Sequence, residues 1–125
     1  MRINNKRGFT MIELLVVLAV VAMLLSLVAP RYMRQADKAR EAVLKENLSG
    51  LRVALDQYYG DKGQYPEQLD QLVQAHYLRK LPLDPITGQS SWQPVMMDQE
   101  GHKAVYDVKS NAPGNGMDGT AYNTW

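Results

Sequence analysis

Residues 9–29 form an apolar run that is interrupted only by Thr10, Glu13 and Ser26. About twenty residues of α-helix reach about 30 Å, which is the hydrocarbon thickness of a bilayer. The run ends directly before Pro30. We therefore predict a membrane-spanning helix over this stretch.

A second hydrophobic pattern follows Pro30 and has the three- and four-residue spacing of one helical face. Its members are Leu44, Leu48, Leu51, Leu55 and Tyr58, extended toward the N-terminus by Ala36, Ala39 and Val43. The opposite face carries the charged residues Lys38, Glu41, Lys45, Glu46, Arg52 and Asp56. We predict that the first helix continues as an amphipathic helix, with a kink or short melted stretch at Pro30, and that it ends at Gly60.

Smaller elements are predicted beyond Gly60. Leu69, Leu72 and Val73 give one apolar face to a short helix near residues 67–75. Residues 92–97 and 104–108 read as two strands joined by a hairpin loop at 98–101. The side chains expected to cover the long helix are Trp92, Val95, Val105 and Tyr106. The predicted fold class is α+β: one long N-terminal helix, half membrane-embedded and half amphipathic, packed by a short helix and a small antiparallel β-sheet.

Composition and charge narrow the class of protein. A length of 125 residues allows one small domain beside a membrane helix. The balance of 14 Lys and Arg against 13 Asp and Glu argues against a nucleic-acid binder, and the absence of cysteine excludes a disulfide framework. Arg2, Lys6 and Arg7 precede the apolar run. The positive-inside rule therefore places this end in the cytoplasm and the C-terminal part outside it.

The G-F-T-M-I-E motif at residues 8–13, with the apolar helix behind it, resembles the N-terminus of type IV pilins and of the pseudopilins of type II secretion. The resemblance implies that a prepilin peptidase cuts between Gly8 and Phe9 and methylates the new amino group of Phe9. Pro30 falls at the family's position for a helix-interrupting proline. Three segments follow: a leader peptide at residues 1–8, a transmembrane and assembly half at 9–30, and a periplasmic pilin-like domain at 31–125.

Two later motifs also resemble major pseudopilins. The Y-x-x-x-x-G-x-Y-P arrangement lies at residues 58–66, and an L-P-x-D-P segment lies at residues 81–85. In the family these segments lead from the long helix to a second helix and then into the C-terminal sheet. Many type IV pilins carry a C-terminal disulfide loop, so the absence of cysteine favours a pseudopilin.

Glu13 is an acidic residue near the start of the apolar run. A charge at such a position costs about 2.5 to 3.5 kcal/mol on insertion scales, so it needs a partner. The amine of Phe9 on a neighbouring subunit would offset this cost and would fix the axial register between subunits. The alternative is a plain signal anchor in which Glu13 only lies near the membrane interface.

The segment after the second predicted strand is a loop by composition, and the matching loop of major pseudopilins binds calcium. The candidate ligands here are Asp107, Ser110, Asn111, Asn115 and Asp118. Calcium takes about six to eight oxygen ligands, and this loop contains few acidic side chains. The alternative is a metal-free turn held by Asx-type hydrogen bonds.

The resemblance implies a structural subunit that has no enzymatic activity. It would be anchored by a single pass in the bacterial inner membrane, with its C-terminal domain in the periplasm. An inner-membrane assembly platform with its ATPase would polymerise it, with other pseudopilins, into a pseudopilus that drives type II secretion. The alternatives are a type IV pilus or DNA-uptake pilin subunit and a membrane-tethered periplasmic binding module. The binding module requires a clustered site within residues 60–125, where the sequence offers none.

Overall fold

The structure is a computed structural model that describes residues 8–125. Helix α1 covers Met11–Lys62 and the short helix α2 covers Asp70–Gln74. Strands β1 (Gln93–Gln99) and β2 (His102–Lys109) form a two-stranded antiparallel sheet, followed by a 3-10 turn at Tyr122–Thr124. This architecture confirms the predicted α+β fold class. Apart from Gly8, the predicted leader lies outside the described residues.

The chain divides into two compact units, one ending at Ala36 and the other comprising Asp37–Trp125. In the first unit, α1 runs through Pro30 without interruption, so the melted stretch predicted there is wrong. A proline ring holds φ close to the helical value and removes a single backbone donor. The loss of one bond therefore leaves the helix formed on both sides, and a kink at Pro30 stays a prediction.

The core of the second unit lies along one face of α1. Leu44, Leu48, Leu51 and Leu55 keep at most 1% of their surface exposed, which confirms the predicted apolar stripe. The side chains that complete this core come from α2, from the sheet and from the segment before it: Leu72, Trp92, Val105 and Val108. Burial of this face against the other elements stabilises the C-terminal half of α1, because helix propensity alone contributes little.

The buried face of α1 departs from the prediction at its N-terminal end. Ala39 and Val43 are exposed, whereas Glu41, which the pattern places on the solvent face, is buried. The chain between Gly114 and Tyr122 accounts for the difference, because it covers this part of α1 and donates two hydrogen bonds to Glu41. A contact between residues so far apart in sequence leaves no trace in the helical periodicity.

Helix α1 ends at Lys62 rather than at the predicted Gly60. The residue in the left-handed conformation is Gly63, with φ +71°, and its N–H donates to the Tyr59 carbonyl at 2.8 Å. Helix α2 is shorter than predicted and starts only at Asp70. The Glu67 N–H donates to the side chain of Gln71 at 2.8 Å, in the turn before α2.

The hairpin is tighter than the predicted four-residue loop. Gln99 pairs with His102, so only Glu100 and Gly101 form the turn, and both have positive φ, as a type I′ turn requires. An irregularity lies opposite Val95, where the register skips one residue of β2. The skipped residue is Tyr106, which is 43% exposed, so the prediction that it covers the long helix is wrong.

Candidate functional site

The N-terminus of α1 carries a reciprocal pair of hydrogen bonds. The Glu13 N–H donates to the Thr10 hydroxyl oxygen at 3.2 Å, and the Thr10 N–H donates to the Glu13 carboxylate at 3.3 Å. Thr10 directly precedes the first helical residue, so the pair is a capping box of the form T-x-x-E. The spacing was present in the sequence, and the sequence analysis missed it.

The apolar side chains around this cap are not covered by the subunit. Phe9 is 86% exposed and Met11 is 83% exposed, and every residue from 8 to 35 is classed as exposed. Within residues 8–125, α1 is the one helix long and apolar enough to cross a membrane, and none of its apolar window is buried. An apolar surface of this extent indicates contact with lipid or with other protein chains.

Gly8 and Phe9, where the cleavage is predicted, lie before the helix in a segment without regular secondary structure. Both are exposed, and no atom lies within 4 Å of the position that a Cβ on Gly8 would take. Pro30 lies inside α1, in the same exposed unit.

Glu13 is an exposed carboxyl group without a countercharge in the described part of the chain. Neither of the two ion pairs among residues 8–125 includes it. The capping bonds at 3.2 and 3.3 Å are longer than the usual 2.9–3.0 Å or so of a strong N–H···O bond. The carboxylate thus accepts one weak hydrogen bond, from the Thr10 N–H, and remains accessible to a cation from outside the subunit.

The predicted calcium ligands are distributed over several separate contacts. Asp107 forms an ion pair with Arg52 at 2.9 Å, and Ser110 donates its hydroxyl proton to Asp84 at 2.6 Å. Asp118 accepts hydrogen bonds from Thr120. The remaining two candidates, Asn111 and Asn115, are exposed. Among the residues described, three or more His, Asp or Glu side chains nowhere come together as a metal site would require.

Three residues that organise this part of the structure were not singled out by the sequence. Arg52 bonds to Asp107, to the Val108 carbonyl and to the Trp125 main-chain oxygen. Glu41 and Asp84 are buried carboxylates that accept hydrogen bonds from distant segments. The sequence shows that Glu41 and Asp84 stand beside apolar residues. It does not show the donors of their long-range hydrogen bonds, which lie 26 to 81 residues away.

Two titratable groups of this region have shifted pKa values. Burial and the neighbouring Glu41 carboxylate raise the pKa of Tyr122, whose hydroxyl donates to Glu41 at 2.9 Å. The hydrogen bonds from Thr120 lower the pKa of Asp118, and the charge of Lys45 lowers it further. The lowered pKa keeps the Asp118 carboxylate ionised at neutral pH, and the raised pKa keeps the Tyr122 hydroxyl protonated.

Comparison with known families gives two matches that together cover most of the chain. Residues 3–29 match the family model described as the prokaryotic N-terminal methylation motif. Residues 31–124 match the family model described as type II secretion system (T2SS), protein G. The first match contains the capped, exposed end of α1, and the second contains the folded unit.

Individual relatives agree with this result. The chain is 32% identical to the type II secretion system core protein G of Klebsiella michiganensis, over 94% of each chain. It is 31% identical to the protein of the same name from Escherichia coli, over 91% of this chain and 86% of the relative. The type IV major pilin protein PilA of Myxococcus xanthus is 29% identical, over 50% of this chain and 29% of the relative. No solved structure gives a significant match.

Proposed function

The chain belongs to the family of type II secretion system protein G and is a pseudopilin subunit, and from this premise we propose how it is processed, inserted and assembled. The family is structural rather than enzymatic. The match to pilins is the weaker one, which favours type II secretion over a type IV pilus or DNA-uptake role. A tethered binding module is disfavoured because the protein G family model matches residues 31–124, which include nearly all of the folded unit.

The first proposed step is processing. A prepilin peptidase cuts the bond between Gly8 and Phe9 and methylates the Phe9 amine. Support comes from the methylation-motif match across these residues and from their exposure ahead of α1. Methylation to a secondary amine leaves the nitrogen protonated at neutral pH, so the new N-terminus is a cation one helical turn from Glu13.

The second proposed step is membrane insertion. The uncovered apolar part of α1 crosses the inner membrane once. The basic leader residues Arg2, Lys6 and Arg7 keep the N-terminal side in the cytoplasm, so the unit Asp37–Trp125 lies in the periplasm. An assembly platform with its ATPase then extracts the subunit from the membrane into the growing pseudopilus, next to other pseudopilins.

The third proposed step is assembly through Glu13, and one observation carries it. Glu13 is a carboxylate in an apolar, uncovered helix, and the described chain supplies no cation to it. When helices of several subunits pack together, this carboxylate loses water and requires a positive partner. The methylated Phe9 amine of a neighbouring subunit supplies that charge. The resulting pair fixes how far one subunit is displaced along the fibre from the next.

The capping box allows a test that separates the charge of Glu13 from its role in the helix. Glu13→Gln keeps a side chain that can complete the T-x-x-E/Q cap but removes the charge. Thr10→Ala removes the cap and keeps the charge. We expect Glu13→Gln to reduce the yield of sheared fibres about tenfold or more, while Thr10→Ala assembles normally.

The measurement compares fibre yield in cells that express the cognate secretion machinery, with intact mass as the control for processing. Both variants should be cut and methylated like the unaltered chain. Normal fibres from Glu13→Gln would contradict the proposed pairing. A loss of fibres from Thr10→Ala alone would assign Glu13 to the helix cap instead.

A further inference from the structure

The loop after β2 is where the resemblance to major pseudopilins implies bound calcium, and its oxygen atoms do not fit that role. Calcium takes about six to eight oxygens that are free to face the ion. Asp107 Oδ1 accepts from the Arg52 Nε–H at 2.9 Å and from the Val108 N–H at 2.8 Å. Ser110 Oγ donates to Asp84 and accepts from the Ala112 N–H at 3.1 Å.

The remaining acidic candidate is also engaged. Asp118 Oδ1 accepts from the Thr120 N–H at 3.0 Å and from the Thr120 hydroxyl at 2.6 Å. The Lys45 ammonium lies in the same region, 4.8 Å from the centre of the Trp125 ring, and its charge acts on Asp118. A second, divalent cation beside Lys45 would face electrostatic repulsion.

The loop is instead closed from one side by α1. Glu41, Lys45 and Arg52 lie at spacings of four and seven residues, which places them along one face of the helix. Glu41 Oε1 accepts from the Met117 N–H at 2.7 Å and from the Tyr122 hydroxyl at 2.9 Å. The Glu41 carboxylate thus binds the loop at two points, Met117 and Tyr122.

Arg52 and Lys45 hold the end of the same segment. Arg52 Nη2 donates to the Trp125 main-chain oxygen at 2.7 Å and to the Val108 carbonyl at 3.0 Å. The Trp125 indole N–H donates to the Thr120 hydroxyl at 2.7 Å. Its ring packs so tightly over Gly116 that any side chain at that position would collide with it. Arg52 therefore links β2 to the end of the loop, which is the structural task of a bridging metal.

We infer that Glu41, Lys45 and Arg52 of α1 take the place of calcium in closing residues 110–125, so that this subunit folds without a metal. The inference concerns the folded unit alone and does not depend on how the N-terminus is processed. It distinguishes this chain from pseudopilins whose loop is closed by an ion.

The test is thermal unfolding of the full chain in detergent micelles, with excess calcium chloride and with a chelator. A site filled at one hundred times its dissociation constant would raise the melting temperature by roughly 10 to 20 °C. We expect the two melting temperatures to agree within about 1 °C. A melting temperature roughly 10 to 20 °C higher in calcium than in chelator would overturn the inference.

Variants test two of the three residues, Arg52 and Glu41. Arg52→Met and Glu41→Gln should each lower the melting temperature by about 5 to 15 °C, by the same amount in calcium and in chelator. The matched controls are Arg79→Met and Glu46→Gln, at exposed residues that form no hydrogen bond or ion pair within the described chain. The inference would be contradicted if calcium restored the melting temperature of either variant. It would also be contradicted if neither variant had a lowered melting temperature. If a variant fails to fold, titration of the unaltered chain with calcium by calorimetry gives the answer directly.

Discussion

Asp84 shows how one residue can hold a loop that sequence patterns mark only as a turn. Its carboxylate has no exposed surface and accepts from the Ser110 hydroxyl at 2.6 Å and from the Ile86 N–H at 2.8 Å. Buried carboxylates remain charged only where donors surround them. Asp84 therefore links the loop before β1 to the segment after β2.

Replacement of Asp84 by Ala should destabilise the folded unit strongly. The change leaves the Ser110 hydroxyl and two backbone N–H groups without their acceptor in a buried site. We expect the free energy of unfolding to fall by about 2 to 4 kcal/mol, measured by denaturant or thermal unfolding. Asp56→Ala, on the exposed side of α1, is the matched control and should change stability by less than about 0.5 kcal/mol. Equal effects of the two changes would refute the role given to Asp84.

Asp118 should make the folded unit sensitive to acid. Because the hydrogen bonds from Thr120 lower the pKa of Asp118 in the folded state, the ionised form stabilises the fold above the unfolded pKa of about 4. This contribution is lost as the pH falls through the folded pKa. Asp118→Asn retains the acceptor oxygen but cannot take up a proton. Melting temperatures measured from pH 6 down to about pH 3 should therefore fall less steeply for the variant. The same dependence of melting temperature on pH in the unaltered chain and in Asp118→Asn would contradict this role of Asp118.

The C-terminal end of α1 shows how two glycines three residues apart differ in role. Gly60 is helical, and the space around the position of its Cβ is open to 4 Å. Gly63 has φ +71° and ends the helix through the bond from its N–H to the Tyr59 carbonyl. The sequence predicted the helix end at Gly60, and the backbone geometry places it at Gly63.

Alanine substitutions at the two glycines should have opposite signs. Gly63→Ala forces an L-residue into the left-handed region and should cost about 1 kcal/mol. Gly60→Ala removes a flexible residue from a helix interior and should stabilise by up to about 1 kcal/mol. Each serves as the control for the other in chemical denaturation. Stabilisation by both changes would show that α1 ends elsewhere.

The elements themselves were predictable to different degrees. The leucine stripe of α1 was predicted correctly, because one face of a long helix repeats a simple period. The hairpin was found, but its turn and the irregularity that turns Tyr106 outward were not. An extra residue in one strand reverses the inward and outward alternation beyond it, and no period in the sequence marks where it occurs.

The residues of the candidate site were also predictable to different degrees. Gly8, Phe9 and Glu13 could be proposed from the sequence because they fall in one short motif, next to the apolar run, that resembles the N-terminus of pseudopilins. Arg52 bonds to residues that lie 55 to 73 positions away in the sequence, and such pairings become visible only in the folded structure. The two compact units thus have different physical tasks: the second is closed by its own core, whereas the first leaves its apolar side chains for partners outside the subunit.

The most direct test of the proposed processing and assembly is the intact mass of the protein from cells that contain a prepilin peptidase. The Phe9 amine that we propose as the partner of Glu13 exists only after cleavage, so the proposed assembly depends on this step. We predict the loss of residues 1–8 and the gain of one methyl group on Phe9, with the full-length mass in cells that lack the peptidase. A full-length chain in both strains, or a cut near Ala29, would contradict the account and leave Glu13 without its proposed partner.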